Sequence, residues 1–173
     1  VSVGTWTISA VDTDGTGGSQ YNPQVALSVG SSSGVYCQPG PPDRLLVLLP
    51  GTTAQAGKQP NGYLGMPAAQ TAGKPFTITV SLADANWNRV YNAPMPVVSL
   101  GSSDVYWSTP TAQSLIPNQG LRTFNCTLVS ASTHTIRAVN VAGGGYSGGE
   151  FSGVSSTFTL RADMNAETNP QRL

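Results

Sequence analysis

One stretch of sequence occurs twice in the chain, and this repeat constrains the fold more than any other feature. Residues 4–12 (GTWTISAVD) and 132–140 (STHTIRAVN) lie 128 positions apart, and five of their nine residues are identical. Both stretches have the alternating pattern of a half-buried β-strand. We therefore predict that the repeated unit is a β-hairpin that closes a module. Its further parts are the glycine-rich turns at 14–18 and 143–145 and the second strands at 25–29 and 157–160.

A second, shorter repeated segment gives the length of the module. Residues 42–45 (PDRL) recur as 170–173 (PQRL), again 128 positions later. The chain thus reads as the end of one repeat, one whole repeat and the start of another. The predicted parts are a terminal hairpin of a preceding, incomplete repeat at 1–30, a Ser, Gly and Pro linker at 31–43, a complete module at 44–162, and a linker with the start of the next repeat at 163–173.

The terminal hairpin is expected to need a partner, because a lone hairpin is only marginally stable in water. The partner would be missing strands of the same repeat or strands of a neighbouring subunit, added along an open sheet edge. The chain begins with Val1 and shows no charged and apolar leader. We therefore expect a processed secreted protein or part of a longer one, and the repeat favours the second.

Composition narrows the classes of partner. Only 9 % of the residues are charged, the formal net charge is zero and there is no basic run, so we expect no nucleic-acid partner. The longest apolar run, at 45–49, is much too short for a membrane-spanning helix, and we expect no direct membrane insertion. Helix formers are scarce, whereas β-branched residues and turn formers are abundant. With seven or so short alternating segments, this composition predicts an all-β, immunoglobulin-like antiparallel β-sandwich.

Four segments carry a family resemblance. They are residues 72–80 (AGKPFTITV), 84–88 (DANWN), 101–104 (GSSD) and 133–140 (THTIRAVN). Together they resemble the bacterial immunoglobulin-like (Big) repeats of large surface and secreted proteins, which are similar in architecture to invasin and intimin stalks. The resemblance implies an extracellular or cell-surface structural module. It says more about fold than about function, because one fold can host many functions.

Two patterns could be taken for a catalytic or metal site. Residues 145–149 (GYSGG) match the nucleophile motif GxSxG, but no helix is predicted after them and the only histidine, His134, takes the place of Trp6 in the repeat. We expect a turn and no enzyme. Two groups of oxygen-bearing side chains could bind calcium, with a hydrogen-bonded turn as the alternative in each. These candidates are Asp12 and Asp14 in one group and Asp84, Asn86 and Asn88 in the other, which Asp104 could join. No other cofactor is expected.

The two cysteines, Cys37 and Cys126, are too far apart in sequence for a metal knuckle. The sequence leaves three states open for them, which are a disulfide within the chain, a disulfide to another molecule and free thiols. We name the pair as the disulfide candidate. Cys126 alternates with Phe124 and Leu128, which predicts that it points inward.

The aromatic residues Trp87, Tyr91 and Trp107, together with Tyr106, offer a second interpretation. Exposed on one surface, they could stack on sugar rings and form a glycan-binding site; otherwise they pack in cores and joints. The sequence therefore predicts a structural module of an extracellular repeat protein that forms a stalk or filament. Its expected partners are other copies of itself or adjacent repeats. The alternative is an adhesin or carbohydrate-binding module.

Overall fold

The computed structural model describes residues 2–11 and 29–163. They form two compact units, one spanning Ser2–Gln38 and the other beginning at Pro39. Every regular element in these residues is a β-strand, and the all-β prediction is confirmed. The described residues contain no helix that is both long and apolar enough to cross a lipid bilayer.

The smaller unit is a two-stranded antiparallel ribbon. Its strands are β1 (Gly4–Trp6), β2 (Ser9–Ala10), β3 (Gly30–Ser31) and β4 (Val35–Cys37). β1 pairs with β4, and β2 pairs with β3. One extra residue in the second chain segment makes a bulge between the two paired regions.

This pairing differs from the predicted hairpin. The first strand pairs with residues 30–31 and 35–37, part of which the sequence assigned to the linker at 31–43. A segment rich in Ser and Gly has the composition of a linker. It forms a strand here because it pairs with residues far away in sequence, which its composition does not indicate. The predicted second arm at 25–29 falls almost wholly outside the described residues, as does the turn at 14–18.

The larger unit contains twelve strands among its described residues. They are β5 (Arg44–Leu48), β6 (Thr52–Ala54), β7 (Tyr63–Gly65), β8 (Gln70–Thr71), β9 (Phe76–Ala83), β10 (Val97–Ser102), β11 (Gln113–Ser114), β12 (Leu121–Cys126), β13 (Thr133–His134), β14 (Ile136–Val141), β15 (Ser152–Val154) and β16 (Phe158–Arg161).

These strands form three sheets and a hairpin. The sheets have the orders β11-β10-β14-β15, β12-β9-β5 and β13-β16-β8, and β6 pairs with β7. All pairs are antiparallel except β16 with β8, which is parallel. From its polar, Gly- and Ala-rich sequence we expect residues 52–73 to form one long loop, but this region holds β6, β7 and β8. The sequence also predicts a short strand at 104–107, and this prediction is wrong, because those residues form a turn.

A single hydrophobic core joins the sheets. β9 shows why: Phe76, Ile78 and Val80 alternate with residues that are less buried, so one face of the strand is apolar. The edges of two sheets also approach closely, since a Cβ atom at Gly153 in β15 would overlap the backbone carbonyl of Leu45 in β5. Other fully buried large side chains are Leu82, Val90, Val98, Leu115, Phe124, Leu128 and Ile136.

Candidate assembly surface

The last strands of the larger unit repeat the ribbon of the smaller unit in three dimensions. We call β1–β4 the N-terminal ribbon, β13–β16 the C-terminal ribbon and residues 39–131 the module body. Trp6 lies opposite Val35 in the first ribbon, and His134 lies opposite Phe158 in the second. Trp6 and His134 are equivalent in the 128-residue repeat, so both copies use the same register at this end.

The other end of the ribbon follows the same rule. Ala10 pairs with Gly30 in the N-terminal ribbon, and Ala138 pairs with Gly153 in the C-terminal ribbon. Ala10 and Ala138 are again equivalent in the repeat. The register fixed at both ends makes the two ribbons copies of one structural unit.

A serine hydroxyl closes the bulge identically in the two ribbons. The N–H of Ile8 donates to Oγ of Ser32 at 2.9 Å, and the N–H of Ile136 donates to Oγ of Ser155 at 3.0 Å. In return, the N–H of each serine donates to the carbonyl of the same isoleucine at 2.8 Å. The sequence signal, a serine pair at 32–33 and at 155–156, is present in both copies but was not used in the prediction.

The two ribbons differ in burial. Ile136 is 0 % exposed and Phe158 is 3 % exposed, whereas their counterparts Ile8 and Val35 are 69 % and 48 % exposed. Trp6 is 52 % exposed. Fully burying one large aliphatic side chain stabilises a fold by about 1.5–3 kcal/mol. The N-terminal ribbon thus presents an apolar face whose burial would be strongly favourable.

The module body covers the C-terminal ribbon on two edges. β10 pairs with β14, which places Leu100 opposite Ala138 and Ser102 opposite Ile136. β8 pairs with β16, which places Gln70 beside Leu160. In the smaller unit the described strands pair only with one another. A lone ribbon of this kind is an open template for further strands.

Both cysteines are free thiols in the structure. Cys126 is in the core and 1 % exposed, and burial raises the pKa of its thiol to about 12. Cys37 pairs with Gly4 in β4, at the position that buried Leu160 occupies in the C-terminal ribbon. The predicted pair stays a prediction that thiol labelling can decide.

The carboxylate of Asp84 is saturated by hydrogen bonds. Its Oδ1 accepts from the N–H groups of Asn86 and Asn88, and its Oδ2 accepts from the N–H of Gly40 and the amide of Asn88, all at 2.8–2.9 Å. Burial opposes its ionisation, but these four bonds favour it and hold the pKa of Asp84 below its usual range. The group acts as the anchor of a turn.

Asp104 has the same role at another turn. Its Oδ2 accepts from the N–H groups of Val129 and Ser130, and its Oδ1 accepts from the N–H of Tyr106 and the hydroxyl of Ser130. The side chain is buried, which opposes ionisation, but the four bonds outweigh this and the pKa of Asp104 lies far below normal. This capture of backbone N–H groups explains why residues 104–107 form a turn rather than a strand.

In the second calcium candidate, Asp84 with Asn86 and Asn88, both carboxylate oxygens of Asp84 thus already accept hydrogen bonds from Gly40, Asn86 and Asn88. Asp12 and Asp14, the first candidate, lie outside the described residues. Within 2–11 and 29–163, no group of three or more His, Cys, Asp or Glu side chains could hold a metal ion.

The GxSxG motif and the histidine do not meet. Ser147 is exposed in the turn after β14, and its N–H donates to Glu150 at 3.2 Å. His134 is buried before the start of β14, with Nε2 at 2.7 Å from the carbonyl of Ser130 and Nδ1 at 3.3 Å from Oγ of Ser103. The six residues of β14 separate the two side chains by roughly 20 Å at strand spacing.

The aromatic candidates are held by separate neighbours. Trp107 is half-buried against the hydrophobic core. The Trp87 ring packs on Gly62, and the guanidinium of Arg44 lies 4.7 Å from the ring centroid. Tyr91 is half-buried, whereas Tyr106 is 74 % exposed. The structure gives no single flat platform from these residues.

A cleft of about 290 Å³ lies beside Trp87. Arg44, Asn61 and Tyr63 line it together with residues 152–156. The indole Nε1 of Trp87 is buried and has no hydrogen-bond partner. The cleft therefore has an aromatic residue, Trp87, in its lining.

Comparison with known proteins gives no family for this chain. No family model matches it, and a search of the curated proteins finds no match.

Proposed function

We propose that the chain is a structural, non-enzymatic part of an extracellular repeat protein. Its larger unit would be an immunoglobulin-like β-sandwich of the Big type, and successive modules would build a stalk or filament. The observation that carries this proposal is the ribbon present twice with one register, covered by a module body in one copy and open in the other.

The way in which polar groups are used supports a mechanical role. The carboxylates of Asp84 and Asp104 accept hydrogen bonds from residues of loops. The buried His134 ring lies between the backbone carbonyl of Ser130 and the hydroxyl of Ser103. The Asp84 bond closes a turn, the Asp104 bond joins two loops and the His134 bond ties a loop to β13, so together they fix loops of the module. A stiff module with anchored loops can transmit load and space other domains.

Tandem polypeptides test the proposal. One, two and four periods of the 128-residue repeat would be expressed in series, and their lengths measured by small-angle scattering and electron microscopy. A stalk predicts that length grows in proportion to the number of periods. Growth with only the square root of that number, as in a flexible chain, would contradict it.

One observation favours the second candidate, a carbohydrate-binding module, and this is the cleft at Trp87. Arg44 lies over the indole ring, which leaves less of its face for a sugar. Polysaccharide binding that is lost in Trp87→Ala and kept in Tyr106→Ala would support the glycan role. No binding to a broad glycan panel would leave the structural role as the better account.

A further inference from the structure

The N-terminal ribbon has the local structure of a ribbon already docked on a module body. We propose that its partner is a module body of this same repeat that lacks a terminal ribbon of its own. This inference rests on the proposed function, because it requires that repeats act in series. Its basis is the agreement of the two ribbons in register and in the hydrogen bonds at the bulge, and the contrast in their burial.

The numbers of ribbons and bodies exclude a simple exchange between two copies. The described residues of one chain form two ribbons but one module body, and the C-terminal ribbon already covers that body. Swapping ribbons between two copies would uncover one ribbon for every ribbon that it covers. Among arrangements in which ribbons dock on module bodies, only one with an additional body that has a vacant edge buries the N-terminal ribbon without exposing another.

The internal repeat gives the register of the complex. In the module, β10 places Ser102 opposite Ile136 and Leu100 opposite Ala138. Ile8 and Ala10 are the repeat equivalents of Ile136 and Ala138. In the partner body, the strand equivalent to β10 would therefore place its counterpart of Ser102 opposite Ile8 and its counterpart of Leu100 opposite Ala10. Its β8-type strand would run parallel to β4, beside Cys37, as β8 runs beside Leu160.

The side chains of the open face are matched to this site as a pair. Trp6 replaces the smaller His134, and directly opposite it Val35 replaces the larger Phe158. An increase at one position and a decrease at its neighbour conserve the volume that enters the core, and cores tolerate such changes best. The substitutions are therefore compatible with the same body.

The sequence of the N-terminal ribbon also matches a polar contact that the C-terminal ribbon makes with the module body. Asp104 in the module accepts the N–H and the hydroxyl of Ser130, and Ser2 occupies that position in the N-terminal ribbon. Val1 repeats Val129, the neighbouring donor, in sequence. The partner body would thus bind Ser2 through the carboxylate equivalent to Asp104.

The test extends the full chain at its N-terminus with a copy of residues 39–128, joined to Val1 as Leu128 is joined to Val129. Hydrogen exchange at the amides of Ile8 and Ala10 and alkylation of Cys37 are then compared with those of the unextended chain. We expect exchange at both amides to slow by about a thousandfold or more, and Cys37 to become unreactive. Unchanged exchange and labelling would overturn the proposal, whether or not the added segment folds.

Matched variants identify the docked face. In the proposed complex the side chain of Ile8 enters the core of the partner body, where an aspartate would be unfavourable. Ile8→Asp in the extended chain should therefore undock the ribbon and restore fast exchange at the amide of Ala10. Ser9→Asp should not, because the equivalent Arg137 is exposed. Changing the added copy of Asp104 to Asn should weaken protection at the ribbon. Equal effects of the Ile8 and Ser9 variants would contradict the proposed register.

The two proposals can fail separately. If the ribbon is protected but tandem periods behave as a flexible chain, the stalk function fails and the partner assignment stands. If tandem periods form rods while Ile8 still exchanges fast, the assignment fails and the stalk function stands.

Discussion

The indole Nε1 of Trp6 donates a hydrogen bond to the backbone carbonyl of Ser2 at 3.1 Å, four residues earlier. In the other copy of the repeat, Nε2 of His134 lies 2.7 Å from the carbonyl of Ser130, also four residues earlier. Two different side chains therefore satisfy the same backbone group. The N-terminal ribbon keeps the hydrogen bonds of a buried ribbon even though its face is exposed.

Removal of the bulge hydroxyl should destabilise only the covered ribbon. Ser155→Ala leaves the buried N–H of Ile136 without its acceptor, which we expect to lower the free energy of unfolding of the module by about 1–3 kcal/mol. Ser32→Ala removes the same bond from an exposed site, where water can replace it, and should change the free energy by less than about 0.5 kcal/mol. Urea denaturation measures both, and equal losses would contradict the difference in burial.

Acid should destabilise the module through its two buried carboxylates. The pKa values of Asp84 and Asp104 are lower in the folded state than in the unfolded state. Their contribution to the free energy of unfolding is therefore complete above the unfolded-state pKa of about 3.9, and it is lost as the pH falls through the folded-state pKa. We expect the free energy of unfolding to fall steadily below about pH 4. Asp104→Asn should flatten this dependence, and a variant with the wild-type slope would show that Asp104 is not its source.

The contact between Trp87 and Gly62 should matter beyond the backbone conformation. Gly62 and Gly73 have nearly the same φ, +73° and +74°, but a Cβ at Gly62 would lie 2.6 Å from the Trp87 ring and one at Gly73 meets nothing within 4 Å. Both Ala variants incur the cost of a positive φ, about 1 kcal/mol. Gly62→Ala should cost about 1–3 kcal/mol more, because the ring must move. Thermal denaturation of the two variants gives the comparison, and equal losses would argue against the packing of Trp87 on this turn.

The thiols should react at different rates. Cys126 is buried, so reagents do not reach it in the folded protein, and its raised pKa means that little of it is present as the reactive thiolate. Cys37 is only half-buried. We expect iodoacetamide to label Cys37 under native conditions and Cys126 only after unfolding. Intact mass under non-reducing conditions is the companion measurement. A mass lower by two hydrogens, with neither thiol labelled, would establish the disulfide instead.

The repeat allowed the most informative part of the structure to be predicted. Five shared residues in 4–12 and 132–140 were enough to predict equivalent strands, and the alternation of apolar and polar residues in 76–82 is the sequence pattern of a half-buried strand, which β9 forms. The pairing of Val35–Cys37 with Gly4–Trp6 was missed, because a Ser- and Gly-rich segment becomes a strand only through a partner far away in sequence. β6 to β8 were missed for a different reason, which is that their residues do not alternate between apolar and polar.

The candidate sites show a similar limit. Sequence spacing marked Asp84, Asn86 and Asn88 as close together, and they are. Spacing could not show that the backbone N–H groups already occupy the carboxylate oxygens. The burial of His134 was unexpected in a polar, Thr-rich stretch, and it follows from the strand face that it shares with Ile136 and Ala138.

Native-state hydrogen exchange at Ile8 and Ile136 tests the central claim most directly. The two N–H groups donate to serine hydroxyls at nearly equal distances, so they differ chiefly in whether a module body covers the ribbon. In the unextended chain, Ile136 should exchange only through global unfolding, and Ile8 should exchange within about tenfold of the unfolded rate. Equal protection at both amides would contradict the claim that the N-terminal ribbon is an open copy of the C-terminal one.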